Sequence, residues 1–126
     1  MKLARLDASL HRIPIEVPLL KQPRLVGVVV VRVESDDGSV GDGVAAPQGQ
    51  AAVIAMLDRE IAPFVVGHDP LLAEGLAQAA WQRFNARGMT GVVSSALSGL
   101  DLALWDLRGK VLGQPVWRLL GGCSRR

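Results

Sequence analysis

The sequence predicts an α+β fold: a three-stranded antiparallel meander sheet followed by a helical bundle. Three observations carry that expectation. The first ten residues alternate with period two, Asp37-Gly38 separates two β-rich runs, and the apolar spacing lengthens to that of a helix after Pro47.

The elements follow in order. Ala4, Leu6, Ala8 and Leu10 share one face of the opening segment, while Arg5, Asp7, Ser9 and His11 share the other, the pattern of a half-buried strand. The strand is expected to end near Pro14, and Pro14, Pro18 and Pro23 mark an irregular loop from Pro14 to Arg24. "RLVGVVVVRVES" is short and β-branched, which predicts a strand with both faces mostly covered. Asp37-Gly38 predicts a tight hairpin, because glycine takes a positive φ without steric cost, and the third strand spans Val40 to Ala45.

Beyond Pro47, Val53, Ile54, Leu57 and Ile61 recur at helical spacing, and Pro63 is expected to end the run. Asp69 is a predicted N-cap with Pro70 in the first helical position. The helix from Pro70 to about Asn85 places Leu72, Leu76, Ala80 and Phe84 on one side, with Ala73, Ala77 and Trp81 adjoining. The last long helix starts near Thr90. Val93, Leu97, Leu100, Leu104, Leu107 and Val111 form one stripe, and Leu102, Trp105 and Leu112 add a second apolar side, so this helix is expected to be surrounded by protein. Gly113 is the expected C-terminal cap, and Pro115 starts a short helix, "PVWRLL". Gly99 and Gly109 would each cost about 1 kcal/mol relative to Ala in an exposed helix, so each predicts a close neighbour.

Composition narrows the function. With 126 residues, 49% hydrophobic and 21% charged, the chain fits one globular domain with a real core and not a disordered segment. The net charge is +2 and the basic residues are scattered. No basic stripe with interleaved aromatics appears, so no nucleic-acid partner is expected. The single cysteine, Cys123, excludes an internal disulfide and a Cys-rich zinc site. The N-terminus lacks a signal-peptide core, and the longest apolar run, Leu25 to Val31, is far below the roughly 20 residues that span a bilayer. A cytoplasmic protein with no membrane partner is the expectation.

Few residues offer chemistry. His11 and His68 have no nucleophile pattern beside them and are expected on the surface. "GSVGDG" lies inside a hairpin and lacks the Lys-Ser/Thr pair of a phosphate loop. Asp36, Asp37 and Asp42 do not have the spacing of an EF-hand loop. Asp101 and Asp106 lie on a mostly apolar helix, where a carboxylate needs a partner. Asp106 precedes Lys110 by four, the favourable order for an ion pair. Asp101 precedes Trp105 by four, so the indole N–H is one candidate partner and a backbone amide elsewhere is another. The residues alone thus give an α+β domain without a catalytic constellation or a metal site.

The segment "SALSGLDLALWDLRGKVLGQPVWRLLGG" adds to that reading. Its Ala96, Asp101, Ala103, Leu104, Trp105, Asp106, Gly109, Lys110, Gly113, Pro115 and Leu119 to Gly122 resemble the end of the N-terminal domain of the mandelate racemase/muconate lactonizing enzyme family in the enolase superfamily. The opening strand, the Pro-rich loop, "VVVVRVESDDGSVGDG" and "PFVVGHDP" agree in order, so the resemblance spans essentially the whole chain. It implies an enolase N-terminal domain-like cap over residues 1–126, packed against a (β/α) barrel. In the family the barrel holds Mg²⁺ and the acid/base groups, and the reactions are racemisation, cycloisomerisation or dehydration of a small carboxylate substrate.

A barrel takes about 250 residues, so the expectation is that it is absent from this chain. The Lys-x-Lys motif is absent too, since the lysines are Lys2, Lys21 and Lys110. No catalytic or metal residue carries over. No cofactor is expected in this chain, Mg²⁺ is implied for a full-length relative, and the chain alone is expected to be inactive. The resemblance also implies substrate contact through two loops, Pro14 to Arg24 and about Ala46 to Gly49. The substrate-binding candidates are Val17, Leu19, Leu20, Lys21, Arg24 and Pro47, with Lys21 or Arg24 placed to meet an anion; an ordinary surface loop is the alternative for each. Val44 stands where the family pattern Gly-x-Gly-Glu has its acid. Two other readings stay open: a non-catalytic module that self-associates or binds a partner through the surface a barrel would cover, and a complementing fragment whose barrel is another chain.

Overall fold

Alternating sequence becomes strand β1 (Leu3–Ile15), the β-branched run becomes β2 (Arg24–Ser35), and β3 (Val40–Ala45) completes an antiparallel sheet of order β1-β2-β3. The computed structural model describes residues 1–16, 18, 22–45, 48–84 and 91–122. Gly38 turns the second hairpin at φ 86°. The Asp37 carboxylate fastens that turn, accepting from the Ser35 hydroxyl at 2.6 Å and the Ser39 N–H at 3.0 Å. The turn sets the register, with Val33 opposite Gly41 and Val31 opposite Gly43.

Three strand expectations need correction. The β1–β2 register shifts between Leu3 and Arg5, so Leu3 turns into the core and Ala4 is exposed. Strand β1 also runs through Pro14 to Ile15. It is an edge strand, where a proline's missing N–H need not serve a ladder bond. Strand β2 is covered on one face only: Val29, Val31 and Val33 are buried, while Val28 and Val30 on the opposite face are half-exposed.

The helical layer begins with α1 (Gln50–Met56), which passes through a π-helical turn (Leu57–Ile61) into α2 (Ala62–Val65). Pro63 does not end this helix. The Ala62 N–H bonds back to the Leu57 carbonyl across the wide turn, and Pro63 then occupies the first turn of α2, where its lack of an N–H costs little. Asp69 caps as predicted, accepting the Leu71 N–H at 2.9 Å. A 3₁₀ turn (Pro70–Leu72) precedes α3 (Ala73–Phe84). At three residues per turn, that first turn puts Leu72 out of line with the α-helical stripe, and Leu72 is 67% exposed instead of buried beside Leu76 and Ala80.

Helix α4 (Gly91–Val111) is the spine of the core, burying Ala96, Leu97, Leu100, Ala103, Leu104 and Leu107. It sits on β3 with backbone against backbone. A Cβ at Gly41 would lie 2.1 Å from the Ala103 carbonyl oxygen, and one at Gly43 would lie 2.2 Å from that of Gly99. A Cβ at Gly99 would stand 2.7 Å from the Val31 side chain, which is the close neighbour a glycine inside this helix predicts. Gly109 packs under the turn to α5 (Val116–Leu119), where a Cβ would lie 2.9 Å from the Gln114 carbonyl oxygen, and Gly113 ends α4 at φ 60°. The second apolar side of α4 is not surrounded by the described elements. They pack on its other side, leaving Leu102 50% and Leu112 46% exposed.

Side chains of α4 close the free edge of β3. The Asp106 carboxylate accepts the Asp42 N–H at 2.8 Å and pairs with Lys110 at 2.6 Å, as the spacing predicts. Lys110 also donates to the Val40 carbonyl at 3.1 Å. A strand edge so occupied is not a template for another strand.

Candidate functional site

The β1–β2 ladder is longer than the sheet. Strand β3 pairs with β2 only from Val29 to Glu34, whereas β1 follows β2 to the Ile15–Arg24 pair. Residues 11–15 and 24–28 therefore form a two-stranded arm beyond the three-stranded body. Arg24 is exposed at its far end. The arm leads into the connection between β1 and β2, for which the family resemblance implies substrate contact. Val17, Leu19, Leu20 and Lys21 of that connection, and Pro47 of the second loop, lie outside the described residues.

The arm meets α1 at its base. Gly49 precedes α1 in a left-handed conformation at φ 67°, and the Gln50 side chain donates a long hydrogen bond, 3.4 Å, to the Gly27 carbonyl. A Cβ at Gly27 would come within 2.8 Å of the Gln50 amide nitrogen, so the glycine makes room for this contact. Leu10, Arg12, Leu25, Gly27 and Gln50 line a recess of about 210 Å³. Arg12 and Gln50 are new members of the site. Arg12 had a signal, because it continues the face of Leu6 and Leu10, where an apolar residue is due. Gln50 had none, because its contact depends on how α1 docks.

A guanidinium, an amide donor and an apolar wall can together hold a small anion with a hydrocarbon body. The rest of the sheet surface is occupied differently. Arg32 holds Asp42 through two bonds of 2.7 and 3.2 Å, and this hydrogen bonding keeps the Asp42 carboxyl below the usual carboxylate range. Arg5 and Asp7 pair across the same face. His11 and His68 are exposed, His11 sharing a hydrogen bond with Ser9 at 2.9 Å. Asp101 has the Trp105 indole as a partner; burial pushes its carboxyl up, and the indole hydrogen bond partly offsets this. Among the described residues no group of three or more His, Cys, Asp or Glu side chains is placed to hold a metal ion, and no helix is long and apolar enough to cross a membrane.

Sheet, helical layer and arm define an α+β domain that presents a long exposed ribbon and, among its described residues, no metal-ligand cluster. The chain belongs to the mandelate racemase / muconate lactonizing enzyme N-terminal domain family, whose sequence profile matches residues 6–121. A D-galactonate dehydratase from Verminephrobacter eiseniae is 39% identical over 95 residues, which are 75% of this chain and 25% of that protein. A mandelate racemase/muconate lactonizing protein from Paracoccus denitrificans PD1222, complexed with magnesium, superposes with a TM-score of 0.80 at 36% identity, covering 98% of this chain and 31% of that one. The 3,6-anhydro-D-galactonate cycloisomerase from Zobellia galactanivorans superposes at 0.83 with 29% identity, covering 99% and 33%. The chain thus spans about a quarter to a third of the length of these relatives.

Proposed function

We propose that this chain is the capping and substrate-selecting domain of a racemase-, cycloisomerase- or dehydratase-type enzyme acting on a small carboxylate, an acid sugar of the D-galactonate kind being the leading substrate. The arm carries this reading. It extends beyond the body of the sheet, carries Arg12 and Arg24, and has Gln50 of α1 docked beside Arg12 at its base. The chain's own contribution is to bind and orient the substrate and to exclude water over a barrel. Arg24 and Arg12 would meet its anionic or hydroxyl groups, with Val17, Leu19, Leu20, Lys21 and Pro47 completing the lid. A cytoplasmic location, supported by the lone cysteine, is part of the proposal.

Magnesium fits the barrel and not this chain. The Paracoccus relative is complexed with it, whereas the described residues here offer no ligand cluster, so no step through the metal is derived on this chain. The chain alone should therefore turn over nothing.

A chimera tests the proposal: this chain in place of the N-terminal domain of the Verminephrobacter dehydratase. Turnover of D-galactonate or a related acid sugar is expected. Arg24→Ala should raise KM about tenfold, about 1.4 kcal/mol, while leaving kcat nearly unchanged, because it removes binding and not chemistry. An active chimera whose KM is indifferent to both Arg12→Ala and Arg24→Ala would refute the selecting role.

A second reading has its own observation. Leu102, Leu112, Trp117 and Leu120 are large apolar side chains left exposed on α4, on α5 and just past the end of each. A barrel contact explains them, and self-association is the alternative. Light scattering separates these: a concentration-dependent dimer favours self-association, and a monodisperse monomer argues against it.

A further inference from the structure

We propose that the groove between α3 and α4 is a binding site for a small organic monocation of the alkylammonium type, seated between the Asp101 carboxylate and the Trp81 ring. This goes beyond the capping role and involves neither the arm nor its loops.

Ala77 and Trp81, one turn apart on α3, face Ser94, Leu97, Ser98 and Asp101 on α4 across a recess of about 390 Å³. The floor is aliphatic, one wall is aromatic, and the remaining lining is two hydroxyls and one carboxylate. Among the described residues, Asp101 is the only charged group in that lining. Its state is set by burial and by the Trp105 indole; no basic side chain among the described residues is part of it. The nearest arginines on these helices are engaged elsewhere. Arg108 lies over the Trp105 ring at 4.9 Å, and Arg83 lies against both the Phe64 and Phe84 rings, 5.5 and 5.8 Å from their centroids.

Burial disfavours the charged form of Asp101, and no counter-charge for it stands among the described residues. A bound cation would remove that cost. The neighbouring groups suit an alkylammonium in particular. An ammonium has three donors, enough for Asp101, Ser94 and Ser98 together. Its alkyl stem can lie on Leu97 and Ala77, and Trp81 adds the attraction of a ring face for positive charge. An anion is excluded by Asp101, and a neutral alcohol of the same shape lacks the charge that the site is missing. Divalent metal ions are poorly served, since Asp101 is the sole carboxylate among the described lining residues.

The probe is n-butylammonium chloride, titrated into the full 126-residue chain and followed by amide and indole nitrogen–proton NMR, with 1-butanol as the neutral isostere. Saturable shifts at the Trp81 indole and at the Ser94, Ser98 and Asp101 amides are expected, much weaker with butanol. Asp101→Asn should weaken binding about tenfold, the loss of a partly desolvated charge pair. Ala77→Leu, which fills the floor and leaves the carboxylate in place, should abolish binding and serves if Asp101→Asn does not fold. Equal response to butanol, unsaturated shifts, or undiminished binding by either folded variant would overturn the assignment.

Discussion

Replacing Gly43 by alanine should unseat α4 from the sheet. A Cβ at that position would stand 2.2 Å from the Gly99 carbonyl oxygen and 2.7 Å from the Ala103 nitrogen, against 3.4 Å or more in ordinary contact. Both opposing atoms belong to the backbone of a 21-residue helix, so no rotamer change relieves the clash. The helix must retreat by more than 1 Å, and the buried Leu100, Leu104 and Leu107 on it retreat as well. Overpacking of a well-fitted core costs typically 1–3 kcal/mol, and this case belongs at about 3 kcal/mol because rigid elements oppose each other. That is a large share of the roughly 5–15 kcal/mol that holds a domain of this size together. Urea unfolding followed by far-ultraviolet circular dichroism should show the midpoint falling with an unchanged slope, and Tm should drop by about 10 °C. A Gly43→Ala protein within about 0.5 kcal/mol of the parent would refute direct seating of α4 on β3. Gly75→Ala is the control. Nothing lies within 4 Å of its Cβ position on α3, so alanine there should stabilise by about 0.5–1 kcal/mol.

Further outcomes follow from the same contacts. Leu104→Ala, at a fully buried position of α4, should cost about 2–5 kcal/mol by denaturant unfolding. Asp106→Ala leaves the Asp42 N–H without its acceptor and should cost about 1–2 kcal/mol, whereas Asp106→Asn keeps an acceptor and should cost less than half of that, the exposed Lys110 pair being worth little. Asp42 has a lowered carboxyl pKa in the fold, so its contribution is complete above the unfolded value near 4 and is lost as pH falls through the folded value; Asp42→Asn should make acid unfolding shallower in that range. Asp101 is shifted the other way, so its charged form destabilises the fold above the ordinary carboxylate pKa; Asp101→Asn should be neutral or stabilising at pH 7, measured by thermal unfolding.

The sheet was legible because its signals are local. Asp37-Gly38 specifies one turn, and that turn fixes which of Val29 to Val33 face inward. The α4 stripe was legible for the same reason, its period being an integral property of one helix. What failed depended on neighbours. Ala4 loses its core position to Leu3 through a register shift that only the pairing with β2 creates. Pro63 is absorbed because a π-helical turn precedes it, and Leu72 is turned outward by a 3₁₀ turn; neither departure from the α-helical period is written in the apolar spacing. At the site, Arg12 was visible as a charge on an apolar face, while Gln50 and Gly27 gain meaning only when α1 docks on the arm. Val17, Leu19, Leu20, Lys21 and Pro47 rest on the family pattern and remain proposals. The carboxylates divided along the same line. The Asp106 pair is a matter of sequence spacing, but the Asp101 recess needs α3 to be laid beside α4.

Two-component complementation tests the central claim most directly. The isolated barrel domain of the Verminephrobacter dehydratase is held at fixed concentration with magnesium and D-galactonate, and this chain is titrated in. The account predicts no turnover from either component alone and a rate that rises and saturates as the chain is added. A rate that stays at the barrel's own level with both components folded, or turnover by this chain without a barrel, would contradict it.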